Sequence, residues 1–115
     1  MKTVCVDMNG VLDQYTGWKG TAEASLTPPR PGARDFLLGL RQRGFRIVVF
    51  TTVYAPLVRD WLTANGLDSL VDDVSDRKEP AFAFIDDRAI CFRGDFADAL
   101  DQLDSFRTHW EEERG

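Results

Sequence analysis

Val4-Cys5-Val6-Asp7-Met8-Asn9-Gly10-Val11-Leu12-Asp13, VCVDMNGVLD, is the stretch from which the fold can be read. The apolar run from Thr3 to Val6 has the length of a buried strand, stops at Asp7, and is followed by Gly10 where the chain can turn. Two later stretches repeat this order of apolar run and polar end. IVVFTT runs from a strand over residues 46–50 onto Thr51 and Thr52, and FIDD closes a strand over 81–85 with Asp86 and Asp87. Helical spacing fills the intervals. Ala33, Phe36, Leu37 and Leu40 fall at i, i+3, i+4 and i+7 of a helix over 32–43, with Gly44 after it. A second helix starts near Pro56, carries Leu57, Val58, Trp61 and Leu62 on one face, and stops at Asn65-Gly66. Strands alternating with helices predict an α/β fold, a Rossmann-like three-layer sandwich on a mainly parallel sheet.

The remaining segments complete that expectation. A short strand is expected within 67–74, then a charged loop, DRKEP, over 76–80. AICF at 89–92 reads as a fifth strand. Phe96, Leu100, Leu103, Phe106 and Trp110 form the apolar stripe of a last helix expected to pack on the sheet. Residues 8–31 are irregular and rich in Gly and Pro. So long a structureless segment in a small domain is usually functional, and it reads as a minimal cap on a single domain spanning 1–115.

Composition excludes several classes. The 43% hydrophobic fraction, with eight Phe, three Trp and two Tyr, is too apolar for a disordered chain. No apolar run approaches the roughly 20 residues that span a bilayer, and the N-terminal residues do not read as a signal peptide. Fourteen Lys and Arg against nineteen Asp and Glu leave a net charge of −5 with no basic cluster, so duplex nucleic acid is not an expected partner. Cys5 and Cys91 both sit in apolar runs and read as reduced core thiols of a cytoplasmic protein.

In open parallel sheets, ligands bind outside the carboxyl ends of the strands. Asp7, Thr51, Asp86 and Asp87 occupy those ends, and Lys78 lies in the loop before the fourth strand. Three carboxylates side by side repel one another unless a cation neutralises them. Oxygen donors of this kind suit Mg²⁺, which takes one or two carboxylates together with substrate phosphate.

The order of these groups resembles that of the haloacid dehalogenase superfamily of Mg²⁺-dependent phosphotransferases. The resemblance rests on VCVDMNGVLD, IVVFTT, Lys78 and FIDD, with Pro31-Gly32-Ala33, Leu37, Leu40 and Gly44 similar to the family's first helix. KEPAFAFIDDRAICFRGD is further similar to small members with hardly any cap. The resemblance implies that Asp7 is the nucleophile, forms an aspartyl-phosphate and ligates Mg²⁺. It implies that Thr51, with Thr52 beside it, binds the phosphoryl group and that Lys78 neutralises nucleophile and phosphate. Asp86 and Asp87 would be the acidic metal motif, and the backbone carbonyl of Asn9 a further ligand. Asn9 departs from the pattern. Phosphatases of the family carry Asp there as general acid and base, and Asn cannot exchange a proton near pH 7.

Other residues have two readings. Asp87 either ligates the metal or orients its neighbours. Arg88 either contacts phosphate or pairs with a carboxylate. Tyr15, Trp18 and Lys19 either face substrate or pin the long loop to the domain. Arg30 and Arg93 read as solvated, His109 as structural or exposed, and the EEER run near the C-terminus as a solvated helix end. Two functions follow: a Mg²⁺-dependent phosphohydrolase acting on a phosphorylated substrate at an open mouth, or a non-catalytic phosphate- or Mg²⁺-binding module. A response-regulator receiver is rejected, because its acidic pair would come first in the chain, not last.

Overall fold

Thr3–Asp7 forms the first strand, β1, because its apolar side chains can be buried on both faces of a sheet. The computed structural model describes residues 1–15, 17–21 and 26–108. After β1 come helix α1 (Ala33–Gln42), strand β2 (Arg46–Phe50), helix α2 (Ala55–Ala64), strand β3 (Asp73–Ser75), strand β4 (Ala83–Ile85) and helix α3 (Phe96–Asp104). The four strands make one all-parallel sheet in the order β3-β2-β1-β4. The protein is therefore α/β with a four-stranded parallel sheet. Among the described residues, no helix is long and apolar enough to cross a membrane.

Register decides which side chains meet. Val6 pairs with Val49 and Ile85, and Val49 with Val74, so these share one face of the sheet with Val4 and Ile47. Leu37 and Leu40 of α1 and Val58 and Leu62 of α2 pack against that face and complete the core. Each fully buried side chain of this size contributes about 1.5–3 kcal/mol. α2 ends where predicted, at Asn65-Gly66, with Gly66 at φ 69°, a left-handed position that costs glycine little. The opposite face carries Cys5, Val48 and Phe84 in register. Above it Arg46 pairs with Asp73 at 3.8 Å and with Glu79, from the β3–β4 connection, at 3.2 Å.

Three expectations are corrected. The sheet has four strands, not five: residues 89–92 join no strand, and Ala89, Cys91 and Phe92 are exposed. After β4 the Arg88 N–H donates to Asp86 Oδ1 at 2.9 Å, a turn that takes the chain off the ladder. Cys91 accordingly is an exposed thiol, whereas Cys5 is buried as expected, and neither forms a disulfide. The last helix ends at Asp104, before Phe106, and does not bury its stripe: Phe96, Leu100 and Leu103 are all exposed. Its polar side is bonded to the segment that leads into it, with Gln102 Nε2 donating to the Cys91 carbonyl at 3.0 Å and Arg93 paired with Asp98 at 2.8 Å. Trp110, His109 and the EEER run lie outside the described residues.

Candidate metal and phosphate site

β1 and β4 are neighbours, and both end in carboxylates, so chain direction alone brings Asp7, Asp86 and Asp87 to one rim. One carboxylate oxygen from each lies within 4.8 Å of the others. Asp7 is 9% exposed, Asp87 half-buried and Asp86 exposed, so the cluster opens to solvent on the Asp86 side. The turn after β1 fits closely beneath it. Gly10 stands at φ 90°, and a Cβ there would run into the Asp87 carboxylate. Only glycine allows both the turn and that approach.

The electrostatics follow from this crowding. Burial is the largest effect on Asp7 and pushes its pKa up to about 8, aided by the charges of Asp86 and Asp87 and a contact with Asp87. The charge of Arg88 opposes the shift. Asp7 Oδ2 and Asn9 Oδ1 are buried without a hydrogen-bond donor among the described residues. Buried acceptors left in this way are costly, and in a carboxylate cluster a hard cation would satisfy them. The donor set is all oxygen and bears several negative charges. It fits Mg²⁺.

Thr51 follows β2 directly, where Phe50 stands in register with Asp7. It is buried, its N–H donates to the Ser75 carbonyl at 2.9 Å, and its hydroxyl accepts from the Val53 N–H at 2.9 Å. The hydroxyl proton has no acceptor among the described residues. Thr52 is exposed beside it. Lys78 is exposed and holds its ammonium 4.7 Å above the Phe84 ring. Together with Asp86, Phe50 and Ile90 it lines a cavity of about 570 Å³.

The long segment after β1 is more ordered than its composition suggests. Asp13 is fully buried and accepts from the Gly10 N–H at 2.9 Å, the Tyr15 N–H at 3.0 Å and the Thr27 N–H at 3.4 Å. Burial raises its pKa, while those three donors and Arg30 act against the rise. Trp61 of α2 donates its indole N–H to the Thr27 carbonyl at 2.8 Å. Tyr15 is buried and Trp18 is 63% exposed. Arg30 is half-buried and reaches the Gly10 carbonyl at 3.4 Å, so it is not the solvated residue expected. Arg93 is exposed, but its guanidinium is bound to Asp98. Asp13 is the residue that sequence reasoning missed as a support of the site. Its signal was present, an Asp three residues after Gly10 in an otherwise apolar stretch, where it can accept from the turn's backbone.

No family model and no curated protein matches the chain. Its fold is similar to the solved structure of a conserved protein from Bacteroides thetaiotaomicron, with a TM-score of 0.58 and 21% identity over 93% of each chain. At that identity the likeness speaks to the fold alone.

Proposed function

We propose that the protein is a small phosphohydrolase or phosphotransferase of the haloacid dehalogenase type, with Asp7 as nucleophile and Mg²⁺ as cofactor. The observation that carries this reading is the meeting of Asp7, Asp86 and Asp87 at one rim of a parallel sheet, with oxygens of Asp7 and Asn9 buried and lacking donors. Asp7, Asp86 and Asp87 would hold the ion, with the Asn9 carbonyl as a further ligand. When bound, Mg²⁺ supplies positive charge that keeps Asp7 ionised and neutralises the phosphoryl oxygens.

Asp7 attacks phosphorus, the ester oxygen departs, and an aspartyl-phosphate remains for water to cleave. Thr51 donates its hydroxyl to a phosphoryl oxygen. Arg88 and Lys78 supply charge at the open side of the rim, and Lys78 must leave the Phe84 ring to do so. Asn9 neither protonates the leaving oxygen nor activates water, so the second step is slow and the phosphoenzyme accumulates. The same Asn9 favours a second reading, a binding module without turnover.

Thermal melting with millimolar Mg²⁺ tests the metal, because a ligand of the folded form alone raises Tm. Stabilisation should appear in the wild type and fall away in Asp86→Asn. Incubation with an activated aryl phosphate and Mg²⁺ should then add about 80 Da, the mass of one phosphoryl group, to the wild type and none to Asp7→Asn. An unchanged melt sinks the metal site. A Mg²⁺ response without phosphorylation leaves the module.

A further inference from the structure

The run AICF at 89–92 joins no ladder, yet three of its residues share one place in the fold. The turn in which the Arg88 N–H donates to Asp86 Oδ1 takes the chain off the sheet, and Ala89, Ile90 and Cys91 then line the cavity of about 570 Å³ beside the carboxylate cluster. The sheet lines it too. Asp7 pairs with Phe50, and Cys5 with Phe84, so by strand alternation Asp7, Phe50 and Phe84 leave the same face of the sheet. α1 and α2 pack on the opposite face, so neither helix fills this space. Lys78, from the β3–β4 connection, and Asp86, from the rim, complete the lining.

Size and lining together describe an occupant. Cavities that take small molecules measure about 300–1,000 Å³, so this one has room for much more than a phosphoryl group. Phe50, Phe84, Ala89 and Ile90 are apolar, and among the described residues that line the cavity Lys78, Asp86 and Cys91 are the polar side chains. A sugar would bring hydroxyls that find few partners there. A flat ring would bury apolar area and find aromatic faces to stack on, Phe84 being 44% exposed.

We propose that Phe50, Phe84 and Ile90 form a leaving-group subsite, and that the substrate class is a small aryl phosphate. The inference rests on the metal and phosphate reading of the rim: the phosphoryl group meets Asp7 and the cation there, while the ring enters the cavity beside Asp86. The Lys78 ammonium lies 4.7 Å over the Phe84 ring, and its move to the phosphoryl oxygens frees the face on which the substrate's ring stacks. Position 9 agrees with this class independently of the cavity. As Asp7 bonds to phosphorus, the P–O bond to the ring breaks and its electron pair leaves on a phenolic oxygen. That oxygen departs without the proton that Asn9 cannot give, and solvent protonates it afterwards.

Binding of phosphonates, whose P–C bond is not turned over, tests the subsite apart from any rate. In Mg²⁺, calorimetry should show 1-naphthylphosphonate binding the wild type roughly tenfold or more tighter than methylphosphonate. Phe84→Ala and Ile90→Ala should each remove most of that difference. A second measurement on the wild type locates the ring. Cys91 is exposed on the cavity wall and Cys5 is buried, so a maleimide labels Cys91, and mass spectrometry follows the rate. Naphthylphosphonate should slow the labelling in proportion to occupancy, and methylphosphonate should not. Equal affinity for the two phosphonates overturns the subsite and leaves the rim reading standing. So does tighter naphthyl binding that leaves the Cys91 rate unchanged, since the ring then lies elsewhere. If neither phosphonate binds in Mg²⁺, the rim reading falls and the subsite with it.

Discussion

A carboxamide at position 9 can donate and accept hydrogen bonds but cannot pass a proton near neutral pH, and this decides which substrates the proposed chemistry can use. An aryl leaving group departs as a weakly basic oxygen and needs little protonation. An alkyl leaving group needs a proton, and loss of the general acid typically costs about 10²–10⁴-fold. Asn9→Asp should therefore accelerate alkyl phosphate turnover by a factor in that range and aryl phosphate turnover by much less. It should also shorten the life of the phosphoenzyme, since the new carboxylate can act as base toward water. Steady-state rates on paired aryl and alkyl esters, with the trapped phosphoenzyme followed by mass, give the comparison. Equal acceleration of both esters would show that position 9 does not serve the leaving group. Asn9 Oδ1 is buried, so the new carboxylate would be partly desolvated, and a bound cation would offset its added charge.

At the scale of elements, the segment after β1 is organised by one carboxylate. Asp13 accepts from the backbone of Gly10, Tyr15 and Thr27, so Asp13→Ala leaves three N–H groups short of their acceptor. Even with water reaching some of them, the cost should be about 1–3 kcal/mol, measurable by urea unfolding. The Mg²⁺-induced rise in Tm should shrink as well, because Gly10 loses the bond that sets it under Asp87. A variant as stable as the wild type would show that Arg30 and Trp61 hold the segment without Asp13. The strands and the rim were readable because apolar runs ended on charged or hydroxyl residues at three separate points, Asp7, Thr51 and Asp86-Asp87. Parallel pairing then left those ends nowhere to go but one edge. The local bonds of Asp13 to Gly10 and Tyr15 were legible, but the long-range supports were not, since Asp13 meets Thr27, and Thr27 meets Trp61, only after the chain has folded. AICF misled for the opposite reason: four apolar residues carry no information on whether a ladder has room for them. The stripe of α3 was correctly identified as apolar, but periodicity gives the face of a helix and not the direction in which it points.

Over the whole molecule, Asp13 and Asp73 respond to pH in opposite senses. Burial raises the pKa of Asp13, so its contribution is full below the ordinary Asp value near 4 and is lost as pH rises through the folded value. Asp73 behaves the other way. Its hydrogen bond to Arg59 at 2.9 Å, with help from Arg46, lowers its pKa, so its contribution is present above about 4 and is lost as pH falls through the folded value. Asp73 joins α2 and β2 to the edge strand β3, which makes it the charge through which acid should first loosen that side of the sheet. The pair is partly exposed, and about 1 kcal/mol is the most it should supply. Asp73→Asn keeps the acceptor for the Val74 N–H, which Asp73 Oδ1 takes at 2.8 Å, and removes only the charge. Urea midpoints for wild type and variant should therefore differ by up to about 1 kcal/mol at pH 7 and converge as pH falls through the folded value of Asp73, where its side chain becomes neutral. Should the gap persist unchanged in acid, Asp73 acts through its shape and its hydrogen bonds, and the ion pairs with Arg59 and Arg46 contribute nothing to the hold of β3 on the sheet.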